Sequence, residues 1–254
     1  VLGEPLPDEW LEYKRLVTQG LRGADVLVAP TRYQAEMTER CLGPRIGTVI
    51  HNGIDPPAAA DARNRTPLLL AAGRAWDEAK AMGLFDQAVS MLGAAAPPAY
   101  IVGALESPDG SRFEACCVSC VGRVSAGEVA EWMSRATIYV GTSIYEPFGL
   151  APLEAAMHGA ALVLSDIGSF REVWGDAAIY FPRNDVRALA ETLQALVADR
   201  DRVYELGLGA RERAVSHFSA GRFADDYLNL YETMVRAGAK RPHLLRSDLP
   251  SPTP

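Results

Sequence analysis

The sequence predicts an α/β protein. Its main domain is a Rossmann-like, doubly wound and mostly parallel sheet, and a partial second domain of the same kind precedes it. Two observations lead to this class. From residue 67 onward, short continuous apolar runs alternate with helical stretches, which is typical of parallel strands covered by helices on both faces. The hydrophobic fraction of 48% over 254 residues is enough for a sizeable core.

The first 55 residues predict two helices and two strands, which is little for an independent domain. Pro7 and Asp8 form a helix start signal, and Gly43 ends the second helix. We therefore expect residues 1–55 to be the last part of a domain. The predicted elements are a helix at 5–22, a strand at 24–30, a helix at 31–43 and a strand at 46–55 that runs into a turn.

A linker at 56–66, rich in proline and polar residues, separates this section from a regular domain at 67–220. A helix at 221–237 follows, and the proline-rich residues 238–254 predict a disordered tail. Strands are predicted at 67–73, 99–103, 117–122, 137–143, 160–166 and 177–181. Helices are predicted at 77–94, 125–135, 149–158, 168–174, 185–199 and 200–217.

The composition argues against several classes of protein. Asp and Glu number 32 against 25 Lys and Arg, so the formal charge of −7 argues against a nucleic-acid binder. No apolar run approaches the ~20 residues of a membrane span, and no signal peptide opens the chain. We expect a cytoplasmic protein without a membrane span.

Three of the four cysteines lie in the stretch CCVSC, at Cys116, Cys117 and Cys120. The spacing of the last two leaves a metal or redox site open. A tetrahedral zinc ion needs four ligands, however, and no second Cys/His pair follows at a suitable spacing. We expect reduced thiols in a short buried strand instead.

The stretch YEPFGLAPLEAAMHGAALVLSD, residues 145–166, places prolines and a glycine at the start of a helix. A helix N-terminus presents free amide groups and partial positive charge, and therefore attracts phosphate. Pro147 and Pro152 are tolerated there because the first turn lacks intrahelical acceptors for its N–H groups. Gly149 lacks the Cβ that would keep a ligand away from the backbone. The pattern indicates an anion site at the carboxyl edge of the sheet.

Glu146 and Glu154 bracket this helix start, eight residues or about 12 Å apart along a helix axis. This separation is too long for a glycosidase pair of carboxylates. It suits a long ligand with a hydroxyl-rich group at each end and phosphate between, the layout of a nucleotide sugar. The alternative is structural: a glutamate that caps the helix and a second on its solvated face.

Two cations surround the preceding helix start in AGRAWDEAK. Arg74 and Lys80 follow the strand that ends at Gly73, where cations oppose the helix dipole. A diphosphate between them would explain both. Solvated bases next to Asp77 and Glu78 are the alternative.

From about Ala24 to Tyr231 the chain resembles the retaining nucleotide-sugar glycosyltransferases of the GT-B fold, family four (glycosyltransferase group 1). The resemblance rests on VIHNGID, AGRAWDEAK, SDIGSFREVWGDAAIYF and, above all, on EPFGLAPLE as the E-x7-E motif. One departure is Ala81, which stands where the family usually has glycine after the lysine. The spacing from Arg74 to Lys80 is also one residue longer than the commonest form.

The resemblance implies a role for each matching residue. Glu146 would hold hydroxyls of the donor sugar, Glu154 the ribose diol, and Arg74 with Lys80 the diphosphate. No metal and no cofactor are implied, and transfer would retain the anomeric configuration. The remaining candidate donor-binding residues are Gly73 and the backbone amides of Phe148, Gly149 and Leu150, with Trp76, Asp166 and Glu172 as further candidates near the donor.

The same resemblance makes residues 1–55 a remnant of the acceptor-side domain, 67–220 the donor-binding domain and 221–237 a helix that crosses back to the first domain. We expect a fragment that binds a UDP-, GDP- or ADP-linked sugar and transfers poorly by itself. The acceptor could be a sugar, a lipid-linked glycan or a small molecule, and peripheral membrane contact stays open. The alternatives are a non-catalytic nucleotide-sugar or glycan-binding module and a GT-B epimerase.

Overall fold

The computed structural model describes residues 7–58 and 62–238. The predicted tail from 239 onward, the start of the predicted first helix and three residues of the linker lie outside these ranges. Within them the chain forms a small N-terminal unit and a larger α/β unit, each built on a parallel sheet.

The N-terminal unit is a single strand–helix–strand motif preceded by a helix. A 3-10 turn at Asp8–Trp10 leads into the first helix, and the two strands pair in parallel. The strands are much shorter than predicted, because they hydrogen-bond only to each other within the described ranges. The bounds are α1 Leu11–Gly23, β1 Val28–Ala29, α2 Arg32–Leu42 and β2 Thr48–Val49.

The larger unit contains one parallel sheet of six strands among the described residues. This confirms the predicted fold class. Its strands are β3 Leu69–Ala72, β4 Ala99–Val102, β5 Ser119–Gly122, β6 Ile138–Gly141, β7 Ala161–Ser165 and β8 Ile179–Phe181. Its helices are α3 Met82–Leu92, α4 Ala126–Arg135, α5 Leu150–Met157, α6 Gly168–Trp174, α7 Val186–Val197, α8 Arg200–His217 and α9 Ala220–Arg236.

Alternate residues of each central strand enter opposite halves of the core. Leu70 and Leu162 pack on the side that holds α5 and α8, whereas Leu69 and Val163 pack on the side that holds α3 and α7. Both halves are fully apolar in the middle of the sheet, which explains why these strands have continuous apolar sequences rather than alternating ones.

The order of the strands, β5-β4-β3-β6-β7-β8, places the site. The chain begins in the middle at β3, builds outward through β4 and β5, and then returns to the other side of β3 with β6. In open parallel sheets the crevice at such a reversal, outside the carboxyl ends of the two strands, is where ligands bind.

Two local predictions were wrong. The strand predicted at 117–122 begins at Ser119, on the edge of the sheet, so Cys116 and Cys117 are exposed and Cys120 is only half-buried. The amides at 116–118 donate hydrogen bonds to the Asp86 carboxylate instead of to a neighbouring strand.

The helix predicted at 77–94 is interrupted. A 3-10 turn at Glu78–Lys80 ends at Ala81, which adopts a left-handed conformation (φ 48°), and α3 starts only after it.

No helix within the described ranges is both long and apolar enough to cross a membrane.

Candidate functional site

A cleft of about 300 Å³ opens outside the carboxyl ends of β3 and β6. Lys80, Thr142 and the loop in front of α5 line it on the side of the larger unit. Pro30 and Asn52 line it from the N-terminal unit. Of the residues predicted from sequence, it brings together Gly73, Lys80, Glu146, Phe148, Gly149 and Leu150.

The loop in front of α5 lines this cleft with residues whose amides are available as donors. The backbone N–H groups of Phe148, Gly149 and Leu150 make no hydrogen bond to any described residue. Gly149 adopts φ 94°, and a Cβ there would approach the Phe170 ring and Pro152 to 2.8 Å. Glycine is therefore required at this position by the backbone conformation and by the packing of Phe170 and Pro152. The sequence analysis predicted a different reason, which was clearance for a ligand.

Lys80 and Glu146 form an ion pair inside the cleft. The Lys80 ammonium donates to the Glu146 carboxylate, and both side chains are largely buried, with 22% and 15% exposed. The turn that carries Lys80 is fastened to the next strand, because Thr142 Oγ1 donates to the Lys80 carbonyl over 2.7 Å and the Ile144 amide donates to the Ala79 carbonyl over 2.9 Å. The acid predicted to hold the donor sugar and the base predicted to hold the diphosphate thus meet directly.

Glu154 lies one turn into α5 and does not line the cleft. Its carboxylate has no hydrogen-bond partner in the part of the chain that the structure describes, and burial raises its pKa. Tyr139 on β6 lines the cleft close to both acids, and the sequence analysis missed it. Its hydroxyl donates to the Ala72 carbonyl over 3.3 Å, and burial, together with the charges of Glu146 and Glu154, raises its pKa.

Arg74 and Trp76 lie beside the cleft and do not line it. Arg74 is 61% exposed and donates to Asp77 over 2.6 Å, while its guanidinium stands 5.5 Å from the centre of the Trp76 ring. The lower pKa of Asp77, which its hydrogen bonds to Arg74 and Ala79 produce against the effect of burial, agrees with this pair.

Asp166 and Glu172 have protein partners away from the cleft. Both oxygens of Asp166 accept from Arg171 over 2.7 Å, which lowers the pKa of Asp166. Glu172 accepts from the backbone amides of Arg32 and Tyr33, over 2.7 and 2.8 Å, at the N-terminus of α2. Both residues therefore have structural contacts, and Glu172 joins the two units of the fold.

In the described ranges, no group of three or more His, Cys, Asp or Glu side chains is placed to hold a metal ion. The cleft instead combines one ammonium, one carboxylate and three amide donors. Such a set can bind a phosphate and hydroxyl groups side by side.

Comparisons with known proteins identify the family of this chain. Residues 66–199 match the family model of glycosyl transferases group 1. An alpha-maltose-1-phosphate synthase of Mycolicibacterium smegmatis is 38% identical over 112 residues, which are 41% of this chain and 29% of that relative. The aligned part of the chain thus spans less than a third of that curated relative.

Solved structures show the same fold. The sucrose-phosphate synthase of Thermosynechococcus elongatus superposes with a TM-score of 0.74 at 23% identity, covering 91% of this chain and 65% of that one. The Anabaena protein Alr3699/HepE, solved in complex with UDP-glucose, gives a TM-score of 0.73 at 17% identity, covering 91% and 70%. With the family match over more than half of its length, the chain belongs to the glycosyl transferases group 1 and has the GT-B fold.

Proposed function

We propose that this chain binds a nucleoside-diphosphate sugar across the cleft between β3 and β6 and supports transfer of the sugar with retention of configuration. The observation that carries the proposal is a set of neighbouring groups. Lys80, Glu146 and residues 148–150 line the cleft, and Glu154 lies one turn further on; within the described ranges neither the amides at 148–150 nor the Glu154 carboxylate has a hydrogen-bond partner. The UDP-glucose complex of a protein with the same fold supports this class of ligand.

Each group has a part in this proposal. Glu154 accepts hydrogen bonds from the ribose diol, which gives its half-buried carboxylate the partners that no described residue supplies. Glu146 accepts from hydroxyls of the donor sugar, and the amides and Lys80 face the diphosphate. Arg74 reaches the diphosphate by leaving Asp77, which is feasible because its side chain is 61% exposed.

The chemistry follows from charge. The bond between the anomeric carbon and the phosphate oxygen breaks, the acceptor oxygen bonds to that carbon on the same face, and the acceptor proton moves to the departing phosphate. The leaving diphosphate gains negative charge, and donors already oriented toward it stabilise that charge; losing one such donor commonly costs ~3 kcal/mol. Lys80, Arg74 and the amides would thereby replace a divalent metal.

Isothermal titration calorimetry with UDP, GDP and ADP tests nucleotide binding and identifies the nucleobase that the protein prefers. Arg74→Ala and Glu154→Gln should each weaken binding of the preferred nucleotide, whereas Arg187→Ala, an exposed change on α7, should not. Unchanged affinity in both site variants would refute the site. Titration in EDTA tests metal independence, and NMR of the anomeric product tests retention once an acceptor is found.

A further inference from the structure

Two buried hydroxyl groups hold the carbonyl groups of the loop in front of α5. Thr31 Oγ1 donates to the Pro147 carbonyl over 2.8 Å, and Ser169 Oγ donates to the Glu146 carbonyl over 2.5 Å. Thr31 and Ser169 are both completely buried. Thr31 belongs to the N-terminal unit and Ser169 to α6, so the loop is fixed from both units at once.

The hydrogen bond of Thr31 also fixes an amide. The bond between Pro147 and Phe148 is trans, and in a planar trans peptide the C=O and N–H groups point in opposite directions. Whatever orients the Pro147 carbonyl toward Thr31 therefore orients the Phe148 N–H away from it. Phe148 is one of three consecutive residues that line the cleft and whose amides make no hydrogen bond to a described residue.

Thr31 is itself held in place without help from the loop. As the N-cap of α2 it accepts from the Gln34 amide over 3.0 Å, and Glu172 accepts from the next two amides of that helix. Gly168 on α6 lets the ring of Tyr33 approach so closely that a Cβ would overlap it. The hydroxyl thus has a fixed position from which to orient the loop.

We propose that Thr31, with Ser169 on the neighbouring carbonyl, is a positioning residue that aims the Phe148 amide at the distal phosphate of the ligand. This inference rests on the proposed function. If Glu154 binds the ribose and Glu146 the sugar, the amide closest in sequence to Glu146 lies near the phosphate farther from the ribose. Thr31, which does not itself line the cleft, then raises donor affinity through preorganisation of the loop.

The test compares a nucleoside diphosphate with its monophosphate, using the base that the wild-type chain prefers. We expect Thr31→Val to weaken diphosphate binding about tenfold, as lost orientation of a charge-assisted donor implies. Binding of the monophosphate, which lacks the distal phosphate, should change less than threefold. Thr31→Ser should restore diphosphate affinity because it retains the hydroxyl. Titration calorimetry gives all of these values.

A control separates this effect from loss of a helix cap. Ser125→Ala removes the capping box of α4, far from the loop in sequence, and should lower stability without changing the ratio of the two affinities. Ser169→Ala gives the same comparison without altering α2, in case Thr31→Val does not fold, and it should also reduce diphosphate affinity selectively.

The outcomes are distinct. If the wild-type chain binds no nucleoside diphosphate, the proposed function fails and this inference fails with it. If the wild-type chain binds and Thr31→Val binds equally well, or loses both ligands equally, only the positioning role is refuted. Selective loss of the diphosphate with rescue by serine supports it.

Discussion

At the scale of residues, the two acids that bracket the start of α5 differ in their electrostatics. Glu146 is neutralised by Lys80, whereas Glu154 is half-buried with no partner in the described ranges, and burial raises its pKa. An ionised carboxylate in such a place costs folding free energy unless hydroxyl or amide donors reach it. In the sequence motif the two glutamates look equivalent, but in the structure their surroundings differ.

We expect Glu154→Gln to raise stability at neutral pH while it weakens nucleotide binding. Because the folded pKa lies above the unfolded one, the stability contributed by this carboxyl is complete below the unfolded pKa and is lost as the pH rises through the folded pKa. The glutamine cannot ionise, so the variant should resist urea better than the wild type at pH 7 and equally well near pH 3.

Urea unfolding at several pH values measures this difference. Glu36→Gln, on the exposed side of α2, is the matched control and should leave the urea unfolding curves at pH 7 and near pH 3 unchanged. A Glu154→Gln protein less stable than the wild type at pH 7 would show that an unseen donor already satisfies the carboxylate.

Ala81 is a second residue whose conformation governs its effect. An L-residue with φ 48° is strained by about 1 kcal/mol. Glycine would relieve this strain, but its greater conformational entropy in the unfolded state offsets part of the gain. We expect Ala81→Gly to raise the free energy of unfolding by about 0.5 kcal/mol. Ala79→Gly, in the preceding turn without a positive φ, should lower it. Guanidinium titrations of both variants measure the two opposite signs.

At the scale of elements, α5 is a short buried helix whose two ends have different tasks. Its N-terminal loop offers amides to the cleft. Its last carbonyls accept from arginines, with Arg211 Nε 3.0 Å from the Met157 carbonyl and Arg65 2.5 Å from the His158 carbonyl. Burial, and to a smaller extent the charges of Arg65 and Arg211, lower the pKa of His158. The C-terminal end is therefore a structural contact.

We expect Arg211→Met to lower the free energy of unfolding by about 1–2 kcal/mol, because a carbonyl loses a charged donor. Nucleotide affinity should stay within a factor of two, since the change lies at the far end of α5. Arg202→Met is the control. Arg202 lies on α8, as Arg211 does, and its partner Glu205 is exposed and 3.7 Å away, so the change should have almost no effect on stability or affinity. Chemical denaturation and calorimetry check both. A large loss of affinity in Arg211→Met would mean that the two ends of α5 are coupled.

The strands and most helices could be predicted from apolar runs and start signals because buried parallel strands leave a strong local pattern. Pairing could not. Whether Lys80 meets a phosphate or Glu146, and whether Glu172 faces a ligand or the amides of α2, depends on neighbours more than 60 residues away. Tyr139 was missed for the same reason, since a strand residue reveals its proximity to two acids only in three dimensions.

The cysteine stretch shows the limit at the edge of the sheet. A buried strand and an edge strand have similar sequences here. Cys116 is exposed, and its own amide donates to the Asp86 carboxylate instead of to a neighbouring strand. Three N–H groups from residues 116–118 also lower the pKa of Asp86 against the effect of burial. No local pattern in the sequence connects these segments.

At the scale of the whole molecule, the N-terminal unit is fastened to the larger one at several points. Glu172 accepts from two amides of α2, Tyr145 donates to Gln34 over 3.0 Å, and Arg222 on α9 donates to the carbonyls at 51–52. The last contact agrees with a final helix that returns to the first unit, as the resemblance implies. Within the described ranges this unit has two short strands, and these contacts connect it to α6, α9 and the loop before α5.

We expect Glu172→Ala to loosen α2 selectively. Removing the carboxylate leaves two helix N–H groups without their acceptor, and amide hydrogen exchange of residues 32–38 should accelerate at least tenfold while that of β3 and β6 is unchanged. Glu36→Ala on the same helix is the control and should leave the exchange rates alone. Equal acceleration across β3 would indicate that the two units unfold together.

The ion pair between Lys80 and Glu146 has a consequence for discrimination among anions. A free phosphate that drew the ammonium to itself would leave a buried carboxylate unbalanced, and that penalty opposes its entry. A molecule that brings phosphate and hydroxyl groups together satisfies both partners at once. We therefore expect inorganic phosphate and sulfate, which bring no hydroxyl-rich group with them, to compete poorly for this site.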